Sequence, residues 1–132
     1  LAGRLERELL YECSQHAVSL LTYGPLAQGL LTGKYIQTTV FGEGDRRHRL
    51  PHFSGVELGK GLDVVRRLTK VGDAHRKTPA QVALRWLLDN TFITSVVVGV
   101  KTPDQVMENA ASMSWNLSPD ESAFLQGNAG IE

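Results

Sequence analysis

The chain has 132 residues, 14 Lys and Arg against 14 Asp and Glu, and one cysteine. That is the length of one domain, and the balanced charge argues against nucleic acid or an anionic membrane as the main partner, because both are held by clustered cations. A single cysteine excludes an internal disulfide and suits a reducing cytoplasm, and no apolar run reaches the roughly 20 residues that cross a bilayer.

Leu1, Leu5, Leu9 and Cys13 recur every four residues among Arg4, Glu6, Arg7, Glu8 and Glu12, the pattern of an amphipathic helix ending near His16 with Cys13 as a small buried hydrophobe. The first residue is Leu, so the sequence is expected to begin inside a longer reading frame. Residues 18–23 form a short apolar run closed by Gly24-Pro25, which predicts a buried strand. Residues 24–54 are rich in Gly, Thr and charge, and predict a long connection with one helical turn near 26–33; connections of that length are usually functional or disordered. The Arg46-Arg47-His48-Arg49 run inside it is short and reads as solvated loop. A helix over 56–75 follows from Leu58, Leu62, Val65 and Leu68 at three-or-four spacing.

Three later segments share one start signal: Thr78-Pro79-Ala80-Gln81, Thr102-Pro103-Asp104-Gln105 and Ser118-Pro119-Asp120-Glu121. Each places a hydroxyl at the N-cap, proline at the first helical position and Gln or Glu where its side chain can reach back to the cap. The first helix should carry Val82, Ala83, Trp86 and Leu87 on a core face as far as Asn90. The second should carry Val106 and Ala110, and the third Phe124 and Leu125. Trp115, with Met113, could cover an exposed flank or a partner. Between the first two helices, residues 92–99 are almost wholly apolar and β-branched, as in a strand buried on both faces of a parallel sheet. Strands separated by helices imply parallel pairing and an α/β class.

Both predicted strands end in glycine and then a polar or helical segment, at Tyr23-Gly24-Pro25 and at Val98-Gly99-Val100-Lys101. Ligands collect at the carboxyl ends of such strands, and the free N–H groups of a helix start attract anions. Lys101 beside the start at Thr102 adds positive charge, so a phosphate is the natural guest; an ordinary helix start is the plainer reading of the same residues.

TYGPLAQGLLTGKY at residues 22–35, TPAQVALRWLL at 78–88 and SVVVGVKTPDQVMENAAS at 95–112 together resemble the C-terminal part of an aldo-keto reductase, a (β/α)8-barrel oxidoreductase family using NADPH. The resemblance runs from about Glu6 to about Leu125 and is strongest to the branch with the potassium-channel β subunits and related bacterial reductases. It implies a partial TIM barrel: two parallel strands, the seventh and eighth, with about five helices, completed by oligomerisation or repacked. It further implies that Tyr23 stacks on the nicotinamide, that Gly24, Pro25, Leu26, Gln28 and Gly29 wrap the pyrophosphate, and that Lys34 lies close to it. Gly99 and Lys101 would lie against the adenosine 2′-phosphate, and Gln105, Glu108 and Asn109 would hold ribose and adenine. One of Arg46, Arg47 or Arg49 would fold over the cofactor.

The family's aspartate, tyrosine, lysine and histidine tetrad belongs to early strands, and none of the four maps onto this sequence. The intact parent is thus expected to reduce an aldehyde or ketone with NADPH, and this chain alone to bind NADP(H) weakly or not at all and to turn nothing over. Another expectation belongs to a different class: a truncated or rearranged product that persists as a homo-oligomer through its exposed strand edges, the cofactor residues being relics. A proteolytic remnant of a full reductase is a third. His48 and His52 have metal-like spacing, but Pro51 between them and the lack of further ligands argue against zinc. Tyr23, Lys34 and His48 could form a proton-transfer group if folded together; a packed or stacking tyrosine is the plainer alternative.

Overall fold

A computed structural model describes residues 2–127, with side chains from residue 8 onward. Leu1 of the expected apolar stripe, and the side chain of Leu5, lie outside the described residues. The element order is α1 (Ala2–Gln15), β1 (Leu20–Tyr23), α2 (Gly55–His75), α3 (Pro79–Leu88), β2 (Ile93–Val97), α4 (Pro103–Ala110) and α5 (Pro119–Gln126), with 3-10 turns at Ala27–Thr32, Arg46–Arg49, Pro51–Phe53 and Ala111–Ser114.

The local start signals explain three of the helices. Thr78 Oγ1 accepts the Gln81 N–H at 3.3 Å while Gln81 Oε1 accepts the Thr78 N–H at 3.0 Å, and Ser118 and Glu121 repeat this at 3.2 and 2.8 Å. α4 departs from the pattern: Thr102 accepts from the Gln105 N–H, but Gln105 Oε1 takes the N–H of Lys101, one residue before the cap. α2 ends as a Schellman turn, with the Lys77 N–H on the Gly72 carbonyl at 2.8 Å and Arg76 in the left-handed region at φ 55°. That turn delivers the chain directly to the Thr78 cap, so α2 and α3 are locked at their junction.

β1 and β2 pair in parallel, with Leu21 opposite Ser95, Thr22 opposite Val96 and Tyr23 opposite Val97. The register slips between Leu20 and Leu21, and the skipped Thr94 offers its hydroxyl to the Leu20 N–H at 3.2 Å in place of a ladder bond. Leu20, Thr22, Ile93 and Val96 are half-buried, and α3 packs beside β2. Leu21, Tyr23 and Val97 on the opposite face are exposed, which corrects the expectation of strands buried on both sides.

The core is therefore made by helices and one ordered loop. Leu68 and Val71 of α2, Val82 and Ala83 of α3 and Leu125 of α5 form one buried cluster, edged by Leu26, Leu31 and Trp115. Leu30, Tyr35, Phe53 and Leu58 form a second, in which Tyr35, Phe41 and Phe53 meet edge to face at centroid distances of 5.1 to 5.5 Å. Arg47 caps this trio, with its guanidinium over Tyr35 and Phe41, a hydrogen bond to the Tyr35 hydroxyl and a two-oxygen bond to Asp45. The long connection thus carries its own aromatic anchor.

Some packing expectations need correction. Trp86 is 37% exposed although Arg85, Leu87 and Leu88 around it are half-buried, and the helix ends at Leu88 rather than Asn90. Cys13 is only half-buried and Leu9 is exposed. Phe124 is exposed under the Lys70 ammonium while Leu125 is buried, and Trp115 packs on the first cluster and on the His75 ring.

α5 is tied to α2 by the contact between Glu121 and His75. Glu121 accepts the Ser118 N–H at 2.8 Å, the main reason its carboxyl lies below the ordinary 4.5; burial opposes this, and the contact with His75 Nε2 at 2.7 Å adds to the lowering. A depressed carboxyl stabilises the fold when ionised; its contribution is complete above the unfolded value and is lost as pH falls through the folded one. Thermal melts should therefore show stability declining as pH drops below 4.5, and Glu121→Gln, which keeps an acceptor for Ser118, should flatten that decline.

Candidate functional site

Because β1 and β2 run the same way and Tyr23 stands opposite Val97, their carboxyl tips lie side by side, about 4.8 Å apart as neighbouring strands. Two segments leave these tips. After β1, Tyr23 holds its ring 90% exposed, and Gly24 turns the chain at φ 66° with nothing within 4 Å of where a Cβ would stand. Pro25 follows, and the Leu26 carbonyl then gathers the N–H groups of Gly29 at 2.9 Å and Leu31 at 3.2 Å, while Gly24 O accepts from Ala27 at 3.0 Å.

That tight ring of bonds forces Ala27 and Gln28 to φ 47° and 52°, left-handed values that cost a non-glycine residue roughly 1–2 kcal/mol each. Gly29 continues at φ 91°, and a Cβ there would meet Lys34 Cε at 3.5 Å and Nζ at 3.6 Å. The Lys34 ammonium therefore lies on the glycine loop, 5.1 Å from the Tyr35 ring centroid. Backbone strain of this kind persists where packing imposes it and is common at ligand sites. Gly24, Pro25, Leu26, Gln28 and Gly29 fall within this one turn, with Tyr23 at the strand end before it and the Lys34 side chain lying on it.

After β2, Gly99 is open on the side where a Cβ would be, and Lys101 leads into α4, whose first N–H groups lie beyond the Thr102 cap. Val100, Lys101, Thr102, Pro103, Val106 and Met107 line a shallow groove of about 520 Å³. Gln105, Glu108 and Asn109 share one side of α4 by their spacing. Two of them are already engaged: Gln105 Oε1 on the Lys101 N–H at 2.7 Å, and Glu108 Oε1 on the Thr78 hydroxyl at 2.7 Å. Sequence reasoning missed Thr78 and the partner it finds thirty residues on, for which no local pattern exists.

The other candidates disperse. His48 Nδ1 lies against the Asp45 carbonyl and its Nε2 against Arg49 Nε at 3.1 Å, so both ring nitrogens are engaged within the turn. His52 lies against Phe53. Among the described residues no group of three His, Cys, Asp or Glu could hold a metal, and no hydrogen bond joins Tyr23, Lys34 and His48 into a proton-transfer group. Arg47 is committed to Asp45 and Tyr35, which leaves Arg46 and Arg49 as the exposed arginines of that turn. No helix among the described residues is long and apolar enough to cross a membrane.

An exposed ring at one tip, glycines without neighbours at both, two lysines and a helix start suit a long anionic ligand with one flat aromatic end. Residues 2–127 match the family model "Aldo/keto reductase family". The chain belongs to that family. An aldo-keto reductase of Strobilurus tenacellus is 37% identical over 118 residues, covering 89% of this chain and 35% of that protein. The aldo-keto reductase yakc [NADP(+)] of Schizosaccharomyces pombe is 30% identical over 115 residues, covering 87% and 34%. The chain thus spans about a third of the length of the curated aldo-keto reductases it matches. In three dimensions it is similar to a glycerol dehydrogenase of Gluconobacter oxydans, with a TM-score of 0.81, 28% identity, and coverage of 93% of this chain and 37% of that one. The fold is accordingly a partial aldo-keto reductase barrel, in which β1 and β2 are neighbouring barrel strands and the open face of Leu21, Tyr23 and Val97 is the face without helices.

Proposed function

We propose that this segment is the dinucleotide-holding side of an NADP(H)-dependent carbonyl oxidoreductase. The observation that carries the reading is the parallel pairing of Tyr23 with Val97, which puts the glycine turn after β1 and the Lys101 helix start after β2 at one end of one sheet. On this reading Tyr23 stacks on the nicotinamide, the loop from Gly24 to Gly29 follows the pyrophosphate with Lys34 as its cation, and Gly99 and Lys101 face the 2′-phosphate. Gln105, Glu108 and Asn109 take the ribose and adenine. The NADP(+) in the yeast relative's name supports the phosphorylated cofactor. When bound, the nicotinamide supplies hydride to an aldehyde or ketone.

The residues of this chain orient that group and neutralise its phosphates; proton donation belongs to the family's tetrad, which has no counterpart here. The 132-residue chain by itself should therefore bind NADPH with reduced affinity and show no reductase turnover, since a partial site has lost contact area and preorganisation.

A second reading has its own observation. Leu21 and Tyr23 are 60% and 90% exposed beside Val97 on the open face of a sheet that has two strands among the described residues, and Val18 and Phe92 are exposed next to it. Such edges and faces associate, and a homo-oligomer would cover them in a protein that no longer uses a cofactor. Fluorescence titration with NADPH together with size-exclusion mass separates the two. Saturable quenching by a monomer supports the cofactor reading; a dimer without a saturable response supports the oligomer.

A further inference from the structure

We infer that Thr78 and Gln81 are positioning residues, a two-point clamp that sets Glu108 and Asn109 of α4 for the adenosine end of the dinucleotide; this rests on the proposed reading of α4. α4 buries none of its residues, though the 3-10 turn that continues it packs on α3. Two hydrogen bonds tie α4 itself to the start of α3. Thr78 Oγ1 accepts from the Gln81 N–H and gives its single proton to Glu108 Oε1 at 2.7 Å. Gln81, 8% exposed, accepts the Thr78 N–H through Oε1 and donates from Nε2 to the Glu108 carbonyl at 2.9 Å.

A capping box by itself uses only the acceptors of its two side chains. Here the donor left over on each side chain goes to the same residue, one to the carboxylate and one to the backbone of Glu108. The Ser118 box shows the contrast: its third-position residue is Glu121, which has no amide donor and turns its other partner contact toward His75. Glutamine at position 81 is therefore the residue type that can cap α3 and hold α4 at once. The clamp fixes the carboxylate by Oε1, leaves Oε2 to accept a ribose or adenine donor, and holds the carbonyl of the peptide that precedes Asn109.

The test measures Kd for the adenosine half, with adenosine 2′,5′-bisphosphate as probe, and for the nicotinamide half, with reduced nicotinamide mononucleotide, on the 132-residue chain by isothermal titration. Thr78→Val and Gln81→Glu, the second of which keeps the α3 cap but loses the amide donor, should each weaken the adenosine probe roughly three- to tenfold and leave the other unchanged. Thr78→Ser should restore wild-type affinity. Should Gln81→Glu fail to fold, the Thr78→Val and Thr78→Ser pair carries the comparison. Equal loss for both probes, in step with thermal stability, would mean a purely structural cap and overturn the inference, as would unchanged binding in Thr78→Val. A wild-type chain that binds neither probe overturns the dinucleotide reading itself, and the clamp with it.

Discussion

Replacing Tyr23 by alanine is expected to weaken NADPH binding about tenfold or more while leaving the melting temperature unchanged. A ring stacked on a base contributes roughly 1–3 kcal/mol, which corresponds to that loss. The fold should not notice, because the side chain is 90% exposed and touches nothing in the core, and such surface changes stay within about 0.5 kcal/mol. Tyr23→Phe keeps the stacking face and should bind as the wild type does. Titration and melts on the same three proteins check both halves of the expectation. Equal affinity of the alanine variant would remove Tyr23 from the site, and a large drop in melting temperature would show that the ring packs against the chain itself.

The largest expected effect on stability comes from Gly72→Ala, a loss of about 2–3 kcal/mol or more. A Cβ at Gly72 would stand 2.4 Å from the Lys77 carbonyl oxygen and 3.4 Å from Val82 Cγ2. Neither neighbour can retreat cheaply. The Lys77 N–H is itself bonded to the Gly72 carbonyl at 2.8 Å, Thr78 next to it begins α3, and Val82 is fully buried. Relief would unhinge the α2–α3 junction on which the first core cluster depends. Alanine's better helix propensity, about 1 kcal/mol, is too small to offset that. Gly59→Ala in the same helix is the control: nothing lies within 4 Å of its Cβ position, so that variant should gain roughly 0.5–1 kcal/mol. Chemical denaturation of the two variants gives opposite signs if the steric account holds.

What could be read from the sequence was what local chemistry determines. The hydroxyl, proline and Gln or Glu of each helix start were legible because the cap and its partner lie three residues apart, and α3 and α5 carry those bonds. The two apolar runs were legible as strands, and the helices between them implied the parallel pairing found for β1 and β2. Their burial was misread for a physical reason: the runs have the composition of strands in a closed barrel, and the described residues supply two of them, so Leu21 and Val97 face outward. Trp86 has the right helical phase for the core yet is 37% exposed between half-buried neighbours.

At the site, Tyr23 and the glycines announced themselves by residue type. The left-handed Ala27 and Gln28 did not, since nothing in an alanine or glutamine signals positive φ; the loop's own hydrogen bonds impose it. The bonds from Thr78 and Gln81 to Glu108 span 30 and 27 residues, and only the folded arrangement of α3 against α4 reveals them.

The central claim is that the tips of β1 and β2 form one surface for one dinucleotide. Amide chemical-shift mapping of the 132-residue chain during titration with NADPH tests it most directly. The account predicts that shifts concentrate together in residues 23–34 and 99–109 and saturate with a single Kd. Shifts confined to one of these segments, or scattered over α1 and α5 with both tips silent, would contradict it.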